Sequence, residues 1–522
     1  MAATATATAS TTSRPAAGPR RLQPPPQQRQ SEPARRRVPW LVLAAAAYAV
    51  AQLLLVLAGH PGLGWDETVY LSQADPRTPA AFFSAPRSRG ISYLVAPVLA
   101  VTGSATALRL VLAAAAALAL YAAFRVWRPL LGRAATALGA AVFSSLWVTV
   151  FYGPQVMPNL WTALAAVAAA GWCLRAAQPA APRRALVLLA CCVAAATLFR
   201  FSDGIWLALP LLAAPLLLRD GRRTGPVLAV LAGLAAGAAQ WIAEAYVRFG
   251  GVRERLRLSS GTEGGMRPHW NAGTAWRGLG GPLLCRPCTA RMTQHAQPAH
   301  TVWWLALPVL AAAACAVAVR ARRPAGTLLP VACAAALSTP YLLLLDYFAP
   351  RFLLPAYALL SLPVGALAVH AVRALRPGAA RAGAVAALLA LFAAHVGTQF
   401  ADLHTNLVDS RSTGGGYRAA ADGLHRLGVR PPCLVSGEHA PPIAYYAGCS
   451  SANVAGNNRN TSAAALRHRA AHAPLAALAR THRPGYVPRD WTGRRLPGTG
   501  LTAYLPPHPP GHGPADAAGR AR

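Results

Sequence analysis

The most informative stretch of this chain for its fold is His-Pro-Gly-Leu-Gly-Trp-Asp-Glu-Thr-Val-Tyr-Leu-Ser-Gln at positions 60–73, followed by Pro-Arg-Ser-Arg-Gly at 86–90. They come directly after an apolar run at 38–59, which is long enough to cross a bilayer. They also place two adjacent carboxylates, Asp66 and Glu67, in a chain with 16 acidic and 50 basic residues. Such a pair beside a membrane predicts a catalytic loop. The alternative is a solvated turn whose acids suit the positive end of a helix.

The composition is that of a polytopic membrane protein. Of the 522 residues, 54% are hydrophobic and only 13% are charged, which is too apolar over too long a span for one soluble domain. All 50 basic residues are arginine, and they lie in short clusters between apolar segments. A basic domain with interleaved aromatic residues is missing from the sequence, so membrane topology explains the net charge of +34 better than a nucleic-acid partner does.

The apolar segments predict about eleven transmembrane helices. The segment at 91–102 is short and is interpreted as interfacial or re-entrant, and a cleaved signal peptide is the alternative for 38–59. After the first span at 38–59, the predicted spans are 104–124, 134–151, 158–174, 185–199, 204–218, 226–247, 302–319, 326–345, 352–372 and 382–399.

Arginine clusters alternate with these spans. By the positive-inside rule they place the N-terminus in the cytoplasm and the C-terminus on the extracytoplasmic side of the cell membrane. The first loop, at 60–90, is then outside. The clusters on the predicted inner side are Arg125, Arg128 and Arg133; Arg175, Arg183 and Arg184; Arg219, Arg222 and Arg223; Arg320, Arg322 and Arg323; and Arg373, Arg376 and Arg381.

The predicted domain organisation has four parts. Residues 1–38 form a disordered cytoplasmic tail, and residues 39–400 form the transmembrane domain, with outer loops at 60–103 and 248–301. Residues 401–505 form a small extracytoplasmic α/β domain, followed by a disordered tail at 506–522. Within the small domain the sequence predicts a helix at 417–427, a strand at 433–436 and a further apolar element at 441–446.

Four cysteines lie in polar regions. Cys433 and Cys449 are expected to form a disulfide on an oxidising face, and the Cys285-Arg-Pro-Cys288 pair is expected to form another. A zinc site would need two more soft ligands at a set spacing, so no metal site is assigned to these cysteines.

The ionisable residues within or beside the predicted spans lie on one side under this topology. Arg109 lies near the outer end of its span, Arg200 with Asp203 and Glu244 with Arg248 have the spacing of local ion pairs, and Asp346 and Arg351 flank one connection. Asp66 and Arg351 have no local partner, so Arg351 is expected to carry an unpaired guanidinium. Acids and arginines facing outward suit an anionic, partly lipidic substrate, whose phosphate binds guanidinium while a carboxylate takes a proton from a hydroxyl. This combination predicts glycosyl transfer from a polyprenyl phosphate sugar.

Five motifs, and the order in which they occur along the chain, resemble the membrane glycosyltransferases of the C superfold. The resemblance is strongest to the protein mannosyltransferase (family 39) and aminoarabinose transferase group. The motifs are Asp66-Glu67 with Tyr70, Arg87-Ser-Arg-Gly-Ile-Ser-Tyr-Leu, Gly103-Ser-Ala-Thr-Ala-Leu-Arg109-Leu, Phe151-Tyr-Gly-Pro-Gln-Val-Met-Pro-Asn159 and Asp346-Tyr-Phe-Ala-Pro-Arg351-Phe-Leu-Leu-Pro355. The resemblance covers roughly residues 39–400. The chain departs from the group in its very small C-terminal domain and in having Gln155 and Asn159 where many relatives have an acid.

The resemblance implies an inverting transferase that uses a polyprenyl phosphate sugar and acts on a glycan, lipid or protein hydroxyl at the outer face. Asp66 is the expected base, and Glu67 is expected to orient it, contact the acceptor or hold a metal, so a divalent metal stays open as a cofactor. Arginines at outer helix ends are expected to bind the donor phosphate, namely Arg351, Arg89, Arg109 and Arg200. The expected cavity residues are Tyr70, Arg87, Tyr152, Asn159 and Asp203. A transporter or flippase for a lipid-linked or anionic solute, and a non-catalytic relative, are the alternatives.

Overall fold

The computed structural model describes residues 2, 4–9, 39–217, 224–286, 297–456 and 458–507. The described residues from 40 to 507 belong to one compact unit. It is mainly helical with a small C-terminal sheet, which confirms the predicted fold class. The two predicted disordered tails, at 1–38 and 506–522, lie almost entirely outside the described residues.

The first half of the unit contains eleven helices in its described part. They are α1 (Trp40–Leu57), α2 (Trp65–Leu71), α3 (Gly90–Val101), α4 (Ala105–Arg125), α5 (Arg128–Leu131), α6 (Arg133–Ser144), α7 (Trp147–Tyr152), α8 (Pro158–Ala176), α9 (Arg183–Phe199), α10 (Phe201–Leu217) and α11 (Thr224–Phe249).

The second half begins with two short helices and continues into the remaining long ones and the sheet. Its elements are α12 (Val252–Thr262), α13 (Ala272–Arg277), α14 (Pro298–Arg320), α15 (Ala325–Leu343), a 3-10 turn at Pro350–Leu353, α16 (Leu354–Ala374), α17 (Ala379–Arg426), β1 (Leu434–Gly437), α18 (Ala440–Ala447), β2 (Ser450–Ser451), α19 (Ala463–Ala470), β3 (Leu475–Ala479), β4 (Thr492–Leu496) and β5 (Leu501–Leu505).

Within the described residues, seven helices are long and apolar enough to cross a membrane, and two shorter apolar helices, α3 and α10, accompany them. The count of eleven spans therefore stays a prediction. The span predicted at 134–151 is wrong as drawn, because α6 and α7 divide it. In a continuous helix the Trp147 N–H would donate to the carbonyl of Phe143, but it donates instead to the side-chain oxygen of Gln399 at 2.9 Å.

Glycines allow the central helices to pack closely. A Cβ at Gly233 or Gly237 on α11 would lie 2.4 Å from a carbonyl oxygen of α9, and one at Gly365 on α16 would lie 2.7 Å from the backbone of Gly139 on α6. Small residues at such crossings let apolar helices approach in the absence of a hydrophobic driving force between them. Helix α8 lies at the centre, with almost all of its residues buried.

Helix α17 joins the membrane-embedded part to the C-terminal domain without interruption. Its 48 residues correspond to roughly 70 Å. The predicted helix at 417–427 is the last part of α17 rather than a separate element, and the chain therefore does not break at the predicted boundary near residue 400. Four buried polar residues of α17 contact different elements: Gln399 the start of α7, Asp402 the His300 side chain of α14, Asn406 the carbonyl oxygen of Gly280, and Ser410 that of Gly62.

The C-terminal domain is a five-stranded sheet with strand order β2-β1-β3-β5-β4. Strand β1 pairs in parallel with β2 and β3, and β5 pairs antiparallel with β3 and β4. The sulfurs of Cys433 and Cys449 are bonded, with 4.8 Å between the Cα atoms. The other expected bridge includes Cys288, which lies outside the described residues.

Candidate active site

The loop before α2 is fixed by close backbone contacts and by a carboxylate. A Cβ at Gly62 would lie 2.5 Å from the Cα of Gly414 on α17, so only glycine fits where the loop meets that helix. The backbone N–H of Gly64 donates to Oε2 of Glu67 at 2.8 Å, which caps the first turn of α2. These contacts fix the first turn of α2 and therefore the direction in which the side chain of Asp66 points.

Glu67 is buried behind the loop rather than in a cavity. Its Oε2 lies 3.0 Å from Nη2 of Arg109, and both side chains are at most 3% exposed. Its Oε1 accepts a hydrogen bond from the backbone N–H of Val156 at 2.9 Å. Arg109 also donates to the carbonyl oxygen of Gly62 at 2.8 Å. The pair therefore ties α2, α4 and the 153–157 connection together. Neither residue lines the cavity, and the predicted roles of Glu67 in catalysis and of Arg109 in phosphate binding stay predictions beside this structural one.

Asp66 lies one residue earlier and points the other way, into a cavity. Its Oδ1 accepts from Nη2 of Arg87 at 2.6 Å, and its Oδ2 accepts from Nη2 of Arg351 at 2.8 Å. Its side chain is 25% exposed, against 2% for Glu67. Burial raises the pKa of Asp66, but the guanidinium groups of Arg87 and Arg351 lower it by more than burial raises it. The pKa of Asp66 therefore lies below the usual value for aspartate.

The expectation that Arg351 is unpaired is wrong. Its partner, Asp66, is 285 residues away in the sequence, and Nη1 of Arg351 also donates to the carbonyl oxygen of Leu283 at 2.9 Å and to the hydroxyl of Tyr152 at 3.5 Å. Arg351 reaches this position because the 3-10 turn at Pro350–Leu353, which leads into α16, packs against α7 and α8.

The cavity has a volume of about 660 Å³ and is mostly apolar. Its charged lining groups are Asp66, Arg87, Arg200, Arg351, Glu263 and Arg286. The apolar and aromatic part of the lining includes Trp65, Tyr70, Phe199, Ile205, Trp206, Trp241, Leu256, Met266, Leu284, Tyr341, Leu345, Tyr347 and Phe352. A cavity of this size, with an apolar wall and a cluster of guanidinium groups, suits a ligand that is apolar at one end and anionic at the other.

Arg200 is the third guanidinium near Asp66. Its Nε donates to Oδ2 of Asp203 at 2.7 Å and its Nη2 donates to the hydroxyl of Tyr341 at 2.5 Å. The Tyr341 hydroxyl in turn donates to Asp203. The structure therefore contains the local pair that the spacing indicates, but Asp203 itself is buried behind the cavity wall and orients Arg200 from there.

Arg89 is paired with an acid and does not line the cavity, and its role in binding donor phosphate stays a prediction. Its Nε and Nη2 donate to Oε1 of Glu244 at 2.8 and 2.6 Å. Glu244 also binds Arg248 and, at 3.2 Å, the fully buried Arg255. Arg255 donates to the carbonyl oxygens of Ala85 and Arg87, both at 3.0 Å. This network attaches the 85–89 segment to α11 and so positions the side chain of Arg87.

Of the remaining predicted cavity residues, only some line the cavity. Tyr70 lines the cavity, and the guanidinium carbon of Arg87 lies 5.1 Å from the centre of its ring. Tyr152 and Asn159 lie outside the lining. Asn159 is fully buried, and neither atom of its amide has a hydrogen-bond partner among the described residues. No group of three or more His, Cys, Asp or Glu residues that could hold a metal ion is found in the described part of the chain.

The C-terminal domain also contributes residues beside the cavity, which the sequence alone does not indicate. The ring of His439 lies 5.7 Å from that of Trp65, and the hydroxyl of Tyr446 accepts from the backbone N–H of Leu63 at 3.3 Å. Asn458 also lines the cavity. These residues are hundreds of positions from Asp66, and no local pattern indicates the contact.

Comparisons with solved structures identify the fold. ArnT from Cupriavidus metallidurans, crystallised with undecaprenyl phosphate, superposes with a TM-score of 0.61 at 14% identity, over 89% of this chain and 97% of that one. Its structure in the apo state gives the same values. The chain has the fold of the GT-C membrane glycosyltransferases.

A second neighbour with the GT-C fold is the Archaeoglobus fulgidus oligosaccharyltransferase in complex with zinc and sulfate. It has a TM-score of 0.51 and 13% identity, over 78% of this chain and 62% of that one. No protein-family model matches the sequence, and no curated protein matches it. The resemblance drawn from the motifs is therefore confirmed at the level of the fold.

Proposed function

We propose that this protein transfers a sugar from a polyprenyl phosphate sugar to a hydroxyl group of a glycan, lipid or protein. The observation that carries the proposal is the convergence of Arg87, Arg200 and Arg351 around one accessible carboxylate, that of Asp66, in a mostly apolar cavity. The first prenyl units would lie along the apolar wall, and the guanidinium groups would bind the phosphate. The fold shared with ArnT, which was crystallised with undecaprenyl phosphate, supports the class of donor.

In the proposed reaction the acceptor oxygen forms a bond to the anomeric carbon while the bond from that carbon to the phosphate oxygen breaks. The hydroxyl proton passes to the carboxylate of Asp66, and the lipid phosphate leaves with the electron pair of the broken bond. Direct displacement inverts the anomeric configuration. Arg351 and Arg200 would stabilise the charge that develops on the leaving phosphate.

The ion pairs of Asp66 connect the two halves of this reaction. A carboxylate held by two guanidinium groups is a weak base, because its charge is already neutralised. A donor phosphate would compete with Asp66 for Arg351, and the loss of that partner would raise the proton affinity of Asp66. The base would therefore be strongest when the donor is bound.

We further propose that the cavity faces the outer side of the membrane. The support is the alternation of arginine clusters along the sequence, which places the loops around the cavity opposite to the arginine-rich connections. Single cysteines can test this in a cysteine-free background. Trp270→Cys, near the cavity, should react with an impermeant thiol reagent applied to intact cells, and Arg376→Cys should not; the reverse pattern would overturn the orientation.

Donor binding tests the assignment of the phosphate site. Arg351→Lys and Arg200→Lys keep the charge but lose the planar fork of donors, so equilibrium binding of labelled polyprenyl phosphate should weaken by about tenfold. Arg248→Lys is the matched control, because Arg248 lies outside the cavity lining and is 41% exposed. Unchanged binding in both cavity variants would move the phosphate site elsewhere.

A further inference from the structure

A second cavity of about 670 Å³ lies between the ends of five helices. Five arginines line it: Arg125 at the end of α4, Arg128 on α5, Arg133 at the start of α6, Arg175 near the end of α8, and Arg184 near the start of α9. We refer to these five residues as the arginine pocket.

The arginine pocket lies far from the candidate active site along the same helices. Arg109 of α4 binds Glu67 behind the first cavity, and Arg125 is 16 residues further along that helix, or roughly 24 Å. Helix α9 runs the other way: Arg184 lies near its start, and Phe199, at its end, lines the first cavity. The arginine pocket is therefore at the opposite ends of helices whose other ends position the active site.

Arginines at the two cavities differ in their partners. Six arginines around the first cavity each form an ion pair with an acid, namely Arg87, Arg89, Arg109, Arg200, Arg255 and Arg351. A seventh, Arg286, lies over the ring of Tyr347 at 4.5 Å. None of the five arginines of the pocket forms an ion pair with an acid of the described residues. Five like charges that converge on one cavity repel one another, so the entry of an anion is favoured.

Membrane topology alone explains the sign of these charges but not their convergence. The cluster Arg320, Arg322 and Arg323 also follows an apolar helix, yet none of its members lines the arginine pocket. In the pocket, by contrast, the guanidinium of Arg175 lies over the ring of Trp172 at 4.3 Å, which holds that cation at the cavity wall.

The rest of the lining indicates a lipid rather than a soluble anion. Ala122, Val126 and Leu188 contribute apolar surface, and Leu118 and Val187, on α4 and α9, are 69% and 60% exposed. The pocket lies at the ends of apolar helices, which is the depth of phospholipid head groups, and the exposed side chains offer a surface for acyl chains.

We propose that the arginine pocket binds an anionic glycerophospholipid whose head group carries two phosphates. Two phosphodiesters bring two negative charges and four non-bridging oxygens to the five guanidinium groups, twice what a single phosphodiester brings. The lipid would join the connection between α4 and α6 to that between α8 and α9. This proposal does not depend on the reaction at the first cavity.

Native mass spectrometry of the full-length protein in detergent tests the proposal. Cardiolipin is the two-phosphate probe, phosphatidylglycerol the one-phosphate probe and phosphatidylcholine the zwitterionic one. Wild type should retain cardiolipin in preference to the other two. Substituting Arg125, Arg128 and Arg175 by glutamine should weaken cardiolipin binding by at least about tenfold, because charged hydrogen bonds are lost at three positions.

The matched control substitutes Arg320, Arg322 and Arg323 by glutamine, which removes the same net charge on the same predicted face. It should leave cardiolipin binding within about twofold of wild type. Equal weakening in the two triple variants would overturn the proposal in favour of general attraction to basic surfaces. If wild type binds phosphatidylglycerol as tightly as cardiolipin, the proposed two-phosphate head group is wrong. If free pyrophosphate at equal concentration displaces cardiolipin, the ligand is a soluble anion and the proposed lipid is wrong. If the triple variant does not fold, Arg128→Gln alone should still weaken cardiolipin more than phosphatidylglycerol, and no change would contradict the site.

Discussion

Glu67→Gln is expected to destabilise the protein, whereas the adjacent Asp66→Asn is expected to leave it folded. The two carboxylates are neighbours in sequence but differ in surroundings. Glu67 is 2% exposed and faces Arg109, which is 3% exposed, across 3.0 Å. The side chain of Asp66 is 25% exposed, and its loss leaves Arg87 and Arg351 with other hydrogen-bond acceptors at the cavity wall.

The size of the effect follows from the burial of the pair. Removing one partner of a buried ion pair costs about 3–5 kcal/mol, because the other charge is left uncompensated. Glutamine also has one acceptor oxygen where Glu67 has two, and both of these accept backbone N–H groups, from Gly64 and Val156. We therefore expect the free energy of unfolding to fall by about 3–5 kcal/mol.

The measurement is reversible unfolding in mixed detergent micelles, for the single variants and for Glu67→Gln combined with Arg109→Gln. The double variant should lose less than the sum of the two single losses, because it leaves no uncompensated charge. Glu254→Gln is the matched control, since its ion pair with Arg257 is exposed, and it should unfold like wild type. If Glu67→Gln is as stable as this control and loses only turnover, Glu67 acts in catalysis and the structural role assigned here is wrong.

Three further predictions concern the loop, the base and the small domain. Gly62→Ala should lower the yield of folded protein, since its Cβ would lie 2.5 Å from Gly414, whereas Gly415→Ala, which meets no atom within 4 Å, should not; equal yields would contradict the packing of this loop on α17. Arg87→Gln should shift the acid limb of the pH profile of kcat/KM to higher pH, because Arg87 lowers the pKa of Asp66 while burial raises it; an unshifted limb would show that the profile does not report Asp66. Mass spectrometry of unreduced protein should find Cys433 joined to Cys449, and removing the bridge should cost the small domain about 2–4 kcal/mol; two alkylated thiols would exclude it.

Local spacing was enough to predict some of the site. Arg200 and Asp203 are three residues apart on adjoining turns, and the structure pairs them. The scarcity of acids pointed to Asp66 and Glu67, but nothing in the sequence distinguishes which of the two faces the cavity. That distinction depends on Arg109, which lies on α4, and on the N–H of Val156, which lies near the end of the α7–α8 connection.

Contacts between residues far apart in the sequence account for the features that local spacing did not indicate. Arg89 binds Glu244 across 155 positions and Arg351 binds Asp66 across 285, and no periodicity in a helix reports such contacts. The division of the span at 134–151 has the same origin, because the side chain that receives the Trp147 N–H comes from Gln399. Apolar composition and arginine alternation, which are local or additive properties, were sufficient for the fold class.

The most direct test of the proposed transfer is single-turnover release of polyprenyl phosphate from a polyprenyl phosphate sugar, measured together with binding of the donor in the same preparation. Wild type and Glu254→Gln should release lipid phosphate at equal rates. Asp66→Asn should bind the donor at least as tightly, because Arg351 no longer has to be taken from a carboxylate, and should release lipid phosphate about 10² to 10⁴ times more slowly. Release by Asp66→Asn at the wild-type rate, or no release by wild type with a donor that binds, would contradict the proposed glycosyl transfer by Asp66.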